Sequence, residues 1–142
     1  MKKNKAFTLI ELLIVIAVLA GFMAMLVPNY MQARIKSRDV RRKTDLKNLQ
    51  KALELYKQNQ SLPVYPDTLA KLTANIKYMQ TVPTDPQSVS YYYAPVLDAF
   101  GNYSSYTLCA CLENINDSEQ APPVTCVGAS TCTGKYYKLT DP

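Results

Sequence analysis

At 142 residues and 15.9 kDa the chain has room for one long helix and one compact head, but not for two cores of ordinary size. It has no histidine and only four glycines. That excludes His-based triads and His metal sites, and no Gly-rich phosphate loop is present. The net charge of +5 is unevenly spread: residues 1–6 carry +3, residues 31–60 carry +6 from nine basic and three acidic side chains, and residues 61–142 carry −3.

Behind Lys2, Lys3 and Lys5, residues 7–27 form an apolar run broken by a single acid, Glu11. As a helix this run would span ~32 Å, about the thickness of a bilayer hydrocarbon core. A carboxylate near the end of such a helix costs on the order of a few kcal/mol in lipid unless it finds a partner. A secretory signal peptide has a shorter, uncharged core and a small-x-small cleavage site, whereas here Glu11 interrupts the core and Phe22 lies two positions before Ala24. A plain membrane anchor would leave Glu11 unexplained.

The stretch Lys5-Ala6-Phe7-Thr8-Leu9-Ile10-Glu11-Leu12-Leu13-Ile14-Val15 resembles the N-terminal signature of type IV pilins and of the pseudopilins of type II secretion. The resemblance implies removal of a short basic leader between Ala6 and Phe7 and methylation of the new amine on Phe7. It also implies a role in assembly for Glu11. Ala6 stands where the family usually has Gly. After cleavage the cationic amine lies one helical turn from Glu11, and an intermolecular amine–Glu11 pair would set the axial register of a fibre while removing two charges from an apolar environment.

Beyond the span the helix is expected to continue. Pro28 lacks the N–H that would bond one turn back, so the sequence predicts a kink or local melting there. In the family that this chain resembles, a Pro at this place marks where assembled filaments lose helical structure and become extensible. From Met31 the pattern recovers, with Leu46, Leu49, Leu53 and Tyr56 forming a stripe suited to packing on a sheet. The helix should end at Asn59 to Pro63. Straight, residues 7–59 would measure ~80 Å, so the N-terminal half must lie in a membrane or among other subunits.

The basic residues Arg34, Lys36, Arg38, Arg41, Arg42, Lys43 and Lys47 allow three readings. They form a solvated face, they complement acidic heads of neighbouring subunits, or they contact phosphates non-specifically. No nucleic-acid motif supports the last. A positive-inside count would place the C-terminal side in the cytoplasm, but the cysteines argue for export. The resemblance also implies a cytoplasmic leader and an external head.

In residues 61–142, Asp67 with Leu69 and Leu72 predicts a capped short helix over 67–73, and Pro83-Thr84-Asp85-Pro86 predicts an irregular turn. Tyr91-Tyr92-Tyr93, residues 103–113 and residues 135–140 are expected strands, with Gly101-Asn102 between the first two. Alternation would put Tyr106, Leu108, Ala110 and Leu112 on the face toward the leucine stripe, and Thr107, Cys109 and Cys111 on the other. The order of helix, Tyr-Pro, paired leucines, Pro-x-Asp-Pro turn and Tyr-rich strands also resembles the major pseudopilin.

The four cysteines, Cys109, Cys111, Cys126 and Cys132, match structural zinc poorly, since Cys-x-Cys plus Cys-x5-Cys lacks the usual knuckles and any His. An even number in a small exported head points to disulfides. Cys109 and Cys111, on one face of one strand at ~6.7 Å, are expected not to pair with each other. Two connectivities remain, in which each reaches one of Cys126 and Cys132. Asp67, Asp85, Asp98 and Asp117 sit in turn or cap contexts. The C-terminal acidic loop with which some family members bind calcium is not recognisable, so no metal and no cofactor is expected.

These observations together predict an α+β chain that is not an enzyme: leader 1–6, membrane or filament-core helix 7–30, amphipathic stem 31–60, and a head 61–142 with an antiparallel sheet and a disulfide-stapled loop. The resemblance implies a subunit of a type IV pilus-like filament, inserted in a prokaryotic membrane before assembly. Its implied partners are further copies of itself, a prepilin peptidase and methylase, and an inner-membrane assembly platform with its ATPase. The alternatives are the major pseudopilin of a type II secretion system, and a tethered binding module that does not polymerise.

Overall fold

The computed structural model describes residues 7–74, 76–87, 90–119, 126, 132 and 134–141. Ala6 and the rest of the expected leader, with most of the expected stapled loop, lie outside the described residues. The element order is α1 (Leu9–Gln58), a 3-10 turn (Leu69–Thr73), β1 (Tyr92–Leu97), β2 (Tyr103–Leu112) and β3 (Lys135–Thr140). The chain divides into two units, Met1–Ile35 and Lys36–Pro142, and α1 contributes to both. This is the α+β, pilin-like arrangement expected from the sequence.

In the second unit, the sheet has the order β1-β2-β3 with both pairs antiparallel. Period-two alternation puts Tyr106, Leu108, Ala110 and Leu112 of β2 into the core, where Leu46, Leu49 and Leu53 of α1 are fully buried. Neighbouring strands complete the same face: Tyr93 pairs with Leu108 in β1, and Tyr137 in β3 lies opposite the small Ala110. Tyr65 joins from the loop after α1 and meets the Tyr106 ring edge-on at 4.7 Å.

Tyrosines bring both bulk and a polar tip, and three of these tips are anchored while the buried Tyr106 hydroxyl has no hydrogen-bond partner among the described residues. Tyr91 donates to Asp45 at 2.8 Å, Tyr65 to Glu54 at 2.7 Å and Tyr93 to the Pro66 carbonyl at 2.6 Å. The first two bonds tie the sheet and the loop to α1. Pro95 sits in β1, an edge strand, where its missing N–H leaves no interior ladder bond unmade.

One local expectation needs correction. The segment at 67–73 is a 3-10 turn beginning at Leu69, and Thr68 makes no capping bond. Asp67 instead binds Lys71 at 2.9 Å, so its carboxylate is spent on an ion pair rather than on a helix N-terminus. In this isolated chain α1 runs through Pro28. Proline removes one intrahelical donor but leaves helical dihedrals accessible. The Asn29 amide donates to the Met25 carbonyl at 3.2 Å and supplies a donor next to the gap.

Candidate assembly surface

In the first unit nothing covers the apolar side chains. Leu12, Leu13, Ile14, Ile16, Leu19, Phe22 and Leu26 are each more than half exposed, and none of the most apolar window of α1 is buried. The helix is long and apolar enough to cross a membrane. A surface of this extent on a protein marks contact with lipid or with other chains.

Thr8 and Glu11 build the start of this helix. The Thr8 N–H and hydroxyl donate to Oε2 of Glu11 at 2.8 and 2.7 Å, the Glu11 N–H reaches back to Thr8 Oγ1 at 3.3 Å, and the Thr8 carbonyl accepts from Leu12. This is a capping box, in which the Thr and the Glu three residues later satisfy each other's backbone donors. The Thr-x-x-Glu pattern is legible in the sequence as a capping-box signature that the assembly reading of Glu11 does not use. Both Thr8 bonds fall on Oε2 of Glu11. Phe7, the residue that cleavage would expose, is 79% exposed.

In the second unit, Arg38, Arg42 and Lys43 of the stem bind acids of this chain's own head, whereas Lys36, Arg41 and Lys47 stay exposed. Arg42, 2% exposed, donates to Asp39 at 2.8 Å, to Glu113 at 2.7 Å and to both oxygens of Asp85. Arg38 also holds Glu113, and Lys43 binds Asp117 and Glu119, each at 2.7 Å. Asp39 accepts the backbone N–H groups of Glu113 and Asn114 at 3.0 and 2.8 Å, closing the end of β2 against the helix. The acids come from the end of β2, the Pro-x-Asp-Pro turn and the following loop, so only folding brings them to one helix face.

The electrostatics follow from those contacts. Arg38's hydrogen bonds, with Arg42's, pull the Glu113 carboxyl down to about 2 although burial works against ionisation. For Asp85 burial is the largest single influence and opposes ionisation, but the Arg42 contacts and the Gln87 amide together outweigh it and its value is lowered. Three carboxylates, Asp39, Asp85 and Glu113, thus face two guanidiniums, and the formal negative charge left over is met by the backbone N–H groups of Gln87, Glu113 and Asn114. No cluster able to hold a metal ion occurs among the described residues.

The disulfides are Cys109–Cys126 and Cys111–Cys132, with Cα separations of 6.4 and 5.5 Å. Of the two pairings left open by the strand-face argument, this is the one in which the earlier cysteine on β2 takes the earlier partner. The head is therefore disulfide-bonded, with Cys126 buried.

A family model described as the prokaryotic N-terminal methylation motif matches residues 1–27. The type II secretion system core protein G of Escherichia coli K12 is 31% identical over 119 residues, which cover 75% of this chain and 79% of that protein. The chain belongs to the pilin and pseudopilin family. Core protein G of Vibrio cholerae serotype O1 is 34% identical over 91 residues, 64% of this chain and 58% of that protein. The protein of the same name from Dickeya chrysanthemi is 31% identical over 87 residues, 61% of this chain and 55% of it. The chain thus spans somewhat over half the length of these last two relatives. No solved structure gives a significant match. All three relatives named are type II secretion system proteins, which favours the pseudopilin alternative drawn from the sequence over the type IV pilus-like filament placed first there.

Proposed function

We propose that the chain is the major pseudopilin of a type II secretion system, a structural subunit that polymerises into a short helical fibre in the cell envelope. The observation that carries this is the wholly unburied apolar part of α1 with its one acid near the start, a surface that needs lipid before assembly and other copies afterwards. The relatives named core protein G support secretion rather than a surface pilus.

In this reading residues 1–6 are a leader removed by a prepilin peptidase between Ala6 and Phe7, and Phe7 receives the methyl group. Residues 7–30 lie in the membrane and then in the fibre core, 31–60 form the stem and 61–142 the external head. Glu11, steadied by Thr8 through one oxygen, offers the other to the amine of a neighbouring subunit. Pro28 is where the helix opens when subunits are drawn from the membrane by an assembly platform and its ATPase.

The test is export in the host organism. Deleting the gene is expected to stop release of type II substrates. Wild type restores release, whereas Glu11→Ala inserts in the membrane without restoring it. Normal export after deletion, with loss of surface fibres instead, would return the chain to the pilus reading.

A further inference from the structure

We propose that the β1–β2 hairpin of one subunit, tipped by Phe100, docks into the cleft formed by Tyr56, Ile76 and Tyr78 on the head of a second copy. The proposal rests on the filament reading above and names a head-to-head contact within it.

Phe100 is 89% exposed, the most exposed large apolar side chain among the described residues, and Leu97 beside it is 56% exposed. The tip that carries it is built firmly. The Asp98 carboxylate accepts the N–H groups of Phe100 and Asn102 at 2.8 and 2.9 Å, the Asp98 N–H donates to the Asn102 carbonyl at 2.8 Å, and the Gly101 N–H donates to the Asp98 carbonyl at 3.2 Å. Gly101 has a φ of 79°, the left-handed conformation that lets the chain turn back here without strain. An aromatic ring held outward on a rigid turn has little entropy left to lose on binding, which is the property of an interface anchor.

The same head carries a matching concavity. A cleft of about 440 Å³ is lined by Tyr56, Gln60, Lys71, Ala74, Ile76 and Tyr78. Tyr56 and Tyr78 meet edge-on at 5.3 Å and form an aromatic wall, and Ile76 is 60% exposed beside them. Its size falls within the roughly 300–1,000 Å³ of clefts that bury small ligands, ample for one ring. The charges agree: Asp98 makes the tip negative, while Lys77, between Ile76 and Tyr78 in the chain, adds positive charge beyond the Lys71–Asp67 pair.

Symmetry decides why the occupant is a second copy. Knob and cleft are different surfaces of one chain, so each docking leaves a free cleft on one subunit and a free knob on the other. Such heterologous contacts propagate into rings or helical fibres, whereas an isologous dimer would stop at two.

The experiment places a benzoyl-phenylalanine photo-crosslinker at position 100 of the full chain in cells, with the same probe at position 14 of the apolar helix as the assembly control. The expected result is a dimer adduct from each position, with the adduct from 100 mapping to residues 56–78 of the second copy and lost in Glu11→Ala. Phe100→Asp and Lys77→Glu are expected to reduce assembled subunits while non-reducing peptide maps show both disulfides intact, and Phe100→Leu to retain assembly. Adducts at 14 with none at 100, or with adducts from 100 to another part of the head or to an exported protein, would overturn this contact and leave the filament reading standing. Loss of adducts at both positions would overturn the filament reading and the contact with it.

Discussion

Glu113 shows how one residue's chemistry depends on the fold. Bound by Arg38 and Arg42, it titrates at about 2 in the folded head against an ordinary value of 4.5. Between those values the unfolded chain holds more protons than the folded one, so stability falls as pH falls. The contribution is complete above pH ~4.5 and is lost as pH drops through about 2. It amounts to on the order of 2 kcal/mol once screening at this partly exposed rim is allowed for. Asp85 and Asp117, also lowered, act in the same direction. Urea unfolding of the detergent-solubilised chain, followed by near-UV tyrosine signals, is expected to show a midpoint that declines from pH 5 to pH 2. A flat profile would mean that the ion cluster adds nothing to stability.

Among the elements, β2 carries the largest share of connections. It pairs with both other strands, buries Tyr106, Leu108, Ala110 and Leu112 against α1, and turns Cys109 and Cys111 toward the other face for the staples. At its end a side chain at Gly134 would collide with the Leu112 carbonyl oxygen, so the approach to β3 demands glycine. The disulfides close separations of 17 and 21 residues, for which the chain-entropy model assigns about 3 kcal/mol each. Reduction is expected to loosen the head and lower its unfolding midpoint, while α1 keeps its far-UV helical signal and its membrane association. Coincident loss of both signals would show that the apolar helix depends on the staples. Peptide mapping without reductant is expected to return Cys109–Cys126 and Cys111–Cys132.

Across the whole molecule, the head possesses its own core, whereas the large apolar side chains described in residues 7–31 are exposed. That asymmetry fits the proposed subunit, which would lie first in a membrane and later among copies of itself. Intact-mass analysis of assembled or membrane material is expected to show loss of residues 1–6 and one added methyl on Phe7. A full-length, unmodified N-terminus in assembled material would contradict the maturation scheme, and partial processing would trace to Ala6 in the place of Gly.

Much of this architecture was legible in the residue order, because it rests on local periodicity. An uninterrupted apolar run declares a helix that water cannot stabilise, alternation along 103–112 declares a strand with one buried face, and Leu46, Leu49 and Leu53 declare the stripe it meets. Parallel Cβ directions likewise excluded a Cys109–Cys111 bridge. The tertiary structure alone decided which acids belong to which bases. Arg42 meets Asp85 and Glu113 across 43 and 71 residues of chain, and charge has no period that announces its partner, so the sequence left the basic stem open between a solvated face and contacts with other molecules. Continuity of α1 through Pro28 was likewise visible only in the structure, since proline removes one donor but leaves helical dihedrals accessible. Pairwise chemistry between distant residues emerges only when packing has set the distances, whereas the apolar pattern that drives packing is written along the chain itself.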